Sequence, residues 1–287
     1  AAAVLLSAYG IGAALLAPLA DVRESLSERE RRLFAFGLGS AALAMAIFAL
    51  GLVGLIYDAT FAVLAVVSAG AWWRWGRAAR AGAELPELRG GWTWRAAWYL
   101  ALAVYGVLYL INALAPEVGS DALGYHLGFV SRYYREHRIP AIVTNIYAFL
   151  SQGAEMLFLY AYAIARHDGP KLVHLAFLLA TVEGIVVFAR RWGYGRAGYL
   201  AALLFFVSPV VGNDATQAYN DVLGAFYQLL LFHGLVVWAR ERTAGWLAVL
   251  GAVAGFGFAI KFTAVYPAAA AAAAIAWIVG RESPRRV

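Results

Sequence analysis

Residues 155–165 read Glu155-Met156-Leu157-Phe158-Leu159-Tyr160-Ala161-Tyr162-Ala163-Ile164-Ala165. Whether this run crosses a lipid bilayer decides the sidedness of everything after it. It is apolar, but its about 11 residues fall well short of the roughly 20 a spanning helix needs. Residues 115–171 around it are mixed in polarity, rich in Tyr and His, and punctuated by Pro116, Pro140 and Pro170. Elsewhere the chain alternates apolar runs with short charged clusters. The runs are approximately 1–20, 33–56, 59–73, 96–114, 172–189, 197–212, 221–239, 245–260 and 263–279. Charged residues make up only 14% of the chain, with a mean hydropathy of +0.69, whereas a soluble domain carries about 25%. Lipid is therefore the main solvent. The expected fold is all-α and polytopic, with about nine spanning helices, because a helix satisfies every backbone N–H and C=O within its own segment.

The distribution of positive charge settles how the short run is treated. Cytoplasmic loops carry an excess of Lys and Arg. If 155–165 does not cross, one side holds Arg23, Arg29, Arg31 and Arg32, then Arg74, Arg77, Arg80, Arg89 and Arg95. Arg190, Arg191, Arg196, Arg240 and Arg242 fall on the same side, as do Arg281, Arg285 and Arg286. Together these are seventeen of the 23 basic residues. Arg132, Arg135, Arg138, Arg166, Lys171 and Lys261 remain on the other side. A crossing at 155–165 would erase that bias, so the run is expected to stay on the outer side. The 115–171 loop, the Asn213–Asp221 turn and Lys261 then share the extracytoplasmic face. Within the loop, Asp121 to His137 reads as an interfacial helix. Ser120 is its N-cap, and Leu123, Leu127, Val130 and Tyr134 lie at helical spacing on one face.

Three regions follow: N-terminal helices with basic cytoplasmic loops (1–95), a membrane core with its outer loop (96–280), and a basic tail (281–287). The absence of cysteine excludes disulfides, thiolate metal sites and cysteine nucleophiles. The net charge of +6 is accounted for by topology, with no call for nucleic acid. The first apolar run has no basic stretch before it and no clear cleavage site, so it reads as a span and not a secretory signal. Starting inside that run without an initiator Met, the chain reads as a piece of something longer. Phosphate-binding P-loop, GxGxxG, GxSxG and zinc-protease patterns are missing.

The candidate chemistry lies in the outer segments. Asp121 opens the loop helix, where a carboxylate suits deprotonation of a hydroxyl, a divalent cation, or simply the helix dipole. His126 stands about 140° around an α-helix from Asp121 on the 3.6-residue period, so the two share no clean face. As a metal ligand it needs a partner, and Glu155 is the nearest. Glu155 itself, an acid entering an apolar helix, is costly without a task. Asp214 and Asp221 flank the 213–221 turn as an acidic pair or as caps. Lys261, amid apolar residues at the outer end of a helix, calls for snorkelling or an anion such as a phosphate. Glu183 is a mid-helix acid suited to bonding across helices or to staying protonated. His137, His167 and His174 show no ligand spacing.

Four motifs occur in order: Asp121-Ala122-Leu123-Gly124-Tyr125-His126-Leu127, Gln152-Gly153-Ala154-Glu155-Met156-Leu157, Ala218-Tyr219-Asn220-Asp221 and Gly257-Phe258-Ala259-Ile260-Lys261-Phe262-Thr263. With them, residues 96–280 resemble bacterial GT-C superfamily membrane glycosyltransferases, relatives of the protein mannosyltransferases and the lipid A aminoarabinose transferase. The resemblance implies an inner-membrane enzyme. It would move a sugar from a polyprenyl-phosphate donor to a lipid, glycan or protein acceptor on the outer face, with inversion. It implies Asp121 as the loop carboxylate acting as base or metal-site ligand, Asp221 as the catalytic carboxylate opening the later helix, and Lys261 as the group that meets the carrier phosphate; Tyr125 and Tyr219, within the same motifs, are expected to bind substrate. Glu155, His126 and Asp214 would be ligands of a divalent metal of unknown identity. The rival class is a non-catalytic helical subunit of a larger complex, which explains the ten Trp as interfacial anchors but not one-sided gathering of Asp121, Asp221 and Lys261. A transporter fits less well, since few ionisable residues lie at mid-membrane.

Overall fold

The computed structural model describes residues 1–76, 85 and 92–282. The expectations placed on Arg77, Arg80 and Arg89 in the basic loop, and on Arg285 and Arg286 in the tail, lie outside the described residues. In chain order the helices are α1 (Ala2–Leu16), α2 (Ala20–Ser25), α3 (Glu28–Leu52), α4 (Asp58–Ala71) and α5 (Trp92–Leu114). In the outer loop lie α6 (Leu127–Glu136) and α7 (Gly153–Ala165). Then come α8 (Asp168–Arg191), α9 (Gly195–Val207), α10 (Pro209–Ala215), α11 (Asp221–Glu241), α12 (Ala244–Ile260) and α13 (Val265–Glu282). No strand occurs among the described residues.

All nine apolar runs are helical. By length and composition, five helices can cross a membrane: Glu28–Leu52, Trp94–Leu114, Asp168–Arg191, Asp221–Glu241 and Phe262–Arg281. A sixth span results if α9 and α10, bent by 66°, count as one broken crossing. The bend has a local cause: Pro209 removes an N–H and pushes Ser208 into extended backbone at φ −61°, ψ 122°. The gap to about nine spans is one of length, since α1, α4 and α12 have 15, 14 and 17 residues.

Burial sorts the helices. More than half of the apolar window of α3, α8 and α11 is covered by protein, whereas α5 and α13 are covered over only 11%. The first three form the inner bundle, and the other two turn their apolar surface outward. A capping box starts α3: the Ser27 hydroxyl accepts from Glu30 N, and Glu30 Oε2 accepts from Ser27 N at 2.8 Å. Backbone contact with α1 is close enough that a Cβ on Gly39 would sit 1.7 Å from the Ala8 carbonyl oxygen. Only glycine fits there.

The decisive short run behaves as its length requires. Residues Gly153 through Tyr162 of α7 are all buried, walled by α3, α6, α8 and α12. Its apolar character is met by protein packing.

The bundle has two polar ends. At one, Glu30 at the start of α3 meets Arg191 at the end of α8, with Oε2–Nη1 2.9 Å, and accepts from His233 of α11 at 2.8 Å. Arg29 clasps Glu183 with two bonds of 2.6 and 2.7 Å, so the mid-chain acid of α8 does bond across helices. At the other end lie the last turn of α3, the starts of α8 and α11, and Lys261 after α12. There Ile139 N donates to Gly51 O, tying the outer loop to the end of α3.

Candidate active site

A cavity of about 350 Å³ opens at this second end. Its walls come from four separate stretches: 121–129, 147–155, 214–221 and 260–263. Asp121, Tyr125, His126 and Glu155 line it from the outer loop and α7. Asp214, Tyr219, Asp221 and Lys261 line it from the far side. The structure thus gathers all eight predicted site residues around one space, while Glu183 lies at the opposite end.

The loop helix departs from expectation in a way that matters. Residues Ala122–His126 form a π turn, with Leu127 N bonding back to Ala122 O. Such a turn rotates less per residue than an α-turn and is enriched at functional sites. It therefore brings Asp121 and His126 onto the same cavity, against the 140° separation of an ideal α-helix. The same rephasing leaves Leu123 half exposed while Leu127 and Val130 stay buried. Ser120 lies inside helical backbone and is not the cap. Tyr125 donates to Asp121 Oδ2 at 3.1 Å and stacks on Tyr147 at 4.4 Å. Burial, then the neighbouring Asp121 carboxylate, push the Tyr125 phenol well above its usual value, so it stays a donor. Burial and Asp121 act likewise on Tyr219.

Glu155 sits in the first turn of α7, 2% exposed. Its Oε1 is 2.5 Å from Nδ1 of His126, itself buried, so the two bond directly to each other. Its Oε2 has no partner, and neither does the nearby Ser151 hydroxyl.

The wall formed by the α10–α11 turn is held by groups that sequence reading passed over. Glu117 accepts from Val118 N and Gly119 N with Oε1, and from Ala218 N with Oε2 at 3.1 Å. One carboxylate thus fastens the segment leading to Asp121 onto the turn carrying Tyr219 and Asp221. A Cβ on Gly119 would fall 2.3 Å from Gln217 Oε1 and 2.8 Å from the Tyr219 hydroxyl, so glycine permits this approach. Asn112 donates to Thr216, His174 Nδ1 donates to Gln217 O, and the buried Lys171 donates to Ala115 O. Asp214 Oδ2 accepts from Val222 N at 3.1 Å, capping α11. A loop acid such as Glu117 carries no sequence signal that separates it from a solvated one; its role exists only in the fold.

Lys261 follows the end of α12, half exposed, with Nζ 2.5 Å from Asp221 Oδ1. The anion that its position called for is thus present within the chain. Asn220 Nδ2 donates to Ile260 O, joining the two strips of wall.

The expected metal ligands do not form a set. Among the described residues, no three His, Asp or Glu side chains stand together as a metal site. His126 and Glu155 engage each other, and Asp214 is spent on the α11 cap.

A second cavity, about 520 Å³ and largely apolar, lies alongside. Met45, Phe48, Phe149, Met156, Phe256 and Phe258 line it. The two spaces share Leu150, Ser151, Gln152 and Phe262 as common walls.

Long apolar helices, outward-facing α5 and α13, and a polar cavity at one end of the bundle define a multi-pass membrane protein. Residues 163–286 match the family model described as dolichyl-phosphate-mannose-protein mannosyltransferase, consistent with a GT-C superfamily membrane glycosyltransferase. The match covers less than half of the chain and includes Asp214, Tyr219, Asp221 and Lys261, but not the loop bearing Asp121. No curated protein and no solved structure matches the chain.

Proposed function

We propose that the protein is a glycosyltransferase using a polyprenyl-phosphate-linked sugar. The acceptor is a lipid, glycan or protein hydroxyl on the extracytoplasmic face of a bacterial inner membrane. The observation that carries this reading is the polar cavity sharing four wall residues with an apolar groove. A donor with a long hydrocarbon tail and a charged, sugar-bearing head needs that pairing: the tail lies in the groove and the head enters the cavity. A scaffold subunit has no use for it. Sidedness rests on the charge bias, since Arg190 and Arg191 in the last turn of α8, Arg240 in that of α11 and Arg242 just after it lie opposite the cavity.

The reaction is a single displacement at the anomeric carbon. Asp121 orients the acceptor hydroxyl and draws off its proton as the oxygen attacks. The bond from the anomeric carbon to the phosphate oxygen breaks, and the phosphate leaves with the electron pair. Lys261 meets the growing negative charge, with its ammonium aimed by Asp221. The configuration inverts. Because the candidate metal ligands do not converge, no step is routed through a metal ion.

The test is outer-face transfer from labelled polyprenyl-phosphate sugars by the purified protein. Asp121→Asn should lower the rate by about 10²- to 10⁴-fold, the usual worth of a general base. Insertion and melting should stay as in the wild type. A fully active variant rejects the assignment.

A further inference from the structure

Glu155 Oε2 and Ser151 Oγ stand out among the polar atoms around the two cavities. Glu155 is 2% exposed, and Oε2 has no hydrogen-bond partner, while Oε1 is fixed by His126. Ser151 Oγ, four residues earlier in the segment that enters α7, is likewise buried and unpartnered. Both residues line the polar cavity, and Ser151 also lines the apolar groove. Buried polar atoms without partners are rare in native proteins, and a carboxylate oxygen is the costliest kind to leave so. His126 holds Oε1, and Glu155 lines the cavity, so Oε2 is the carboxylate oxygen left for a ligand there. Tyr125 and Tyr147, stacked together, supply an aromatic wall to the same space.

We infer that Ser151 and Glu155 form the sugar subsite: Glu155 Oε2 accepts from a ring hydroxyl, and Ser151 bonds its neighbour. This rests on the polyprenyl-phosphate reading and deepens it, by assigning recognition of the hexose to α7 and leaving the phosphate to Lys261. The subsite lies where groove and cavity meet, which is where the head of a tailed donor comes to rest. A site that satisfies its own buried acceptor through a substrate hydroxyl rejects analogues lacking that hydroxyl far more strongly than an apolar pocket can.

The experiment measures dissociation constants of the purified full chain for decaprenyl phosphate and for decaprenyl-phosphate mannose, glucose and galactose. At least one sugar-bearing lipid should bind about 10- to 100-fold more tightly than the bare carrier, the range of one hydrogen bond to a charged group. Glu155→Gln, which can still bond His126, should erase most of that preference and leave bare-carrier affinity unchanged. Ser151→Ala should cost about 5-fold, and it serves as the independent variant if Glu155→Gln does not fold. Removing the contacted hydroxyl by a deoxy sugar should weaken wild-type binding but not that of Glu155→Gln. If the bare carrier binds but no sugar adds affinity, or if the variants keep the preference, the inference is overturned while the donor reading stands. Equal loss for bare and sugar-bearing carrier also overturns it, since the oxygen would then be structural. Failure of the wild type to bind decaprenyl phosphate at all rejects the underlying reading instead.

Discussion

The two polar ends of the bundle are built from the same residue types, but the cavity end leaves some of its carboxylate oxygens open. At the Arg-rich end, both oxygens of Glu30 are occupied: Arg191 reaches each of them, His233 takes one and Ser27 N the other. Glu183 likewise gives both oxygens to Arg29. At the cavity end, Glu155 keeps one oxygen free, and exposed Asp121 accepts a single bond from Tyr125. A buried carboxylate whose every lone-pair direction is met has nothing left to offer a ligand and serves to lock α3, α8 and α11. One that is held rigid but unsatisfied is poised to bind. Charge content alone does not separate the two; the hydrogen-bond accounting does.

This contrast is sharpest in the pairing of Glu30 with Asp121. Glu30→Ala leaves the Arg191 and His233 groups uncompensated in a buried setting, so thermal unfolding in detergent should show a loss of about 3–5 kcal/mol. Asp121→Asn, by contrast, should silence transfer with an unshifted melt. If the Glu30 variant melts like the wild type, the lock does not exist.

A smaller effect probes the boundary between the two behaviours. Glu117→Ala removes the acceptor of three backbone N–H groups and should cost about 1–3 kcal/mol. Because it frees the Asp121 segment from the Asp221 turn, it should also slow transfer, with Glu117→Gln recovering part of both. Loss of stability with an unaltered rate would show that the strut does not position the site. The smallest change is expected at Arg29→Gln. Its ion pair with Glu183 is bidentate, but both side chains are more than a third exposed, so solvent screening limits the loss to about 1 kcal/mol or less. A loss equal to that of Glu30→Ala would mean that burial is not what sets the strength of the Arg-rich end.

Much of the fold was legible because lipid imposes a length rule. Nine apolar runs gave nine helical regions, and the run 155–165, read as too short to span, lies in a 13-residue helix buried in protein. Five helices, or six with the bent pair, reach spanning length; α1 and α12 are as apolar but shorter, and hydropathy does not say which apolar face meets lipid and which meets protein. The site was legible as a set of residue types at one end of the bundle. The arrangement of that set was not. A π turn is a single extra residue per turn, with no mark in the sequence, yet it decides that Asp121 and His126 share a cavity. The pairing of Lys261 with Asp221 spans 40 residues, and the strut from Glu117 to Ala218 spans 101.

The sequence by itself determined that the chain lives in a bilayer, where its helices run, and which ionisable residues sit outside the positive-rich loops. Those properties follow from local composition and periodicity, which solvent reads one segment at a time. Only the tertiary structure decided which carboxylates are closed by arginine and which remain open. Satisfying a buried oxygen depends on donors that arrive from helices far away in the chain.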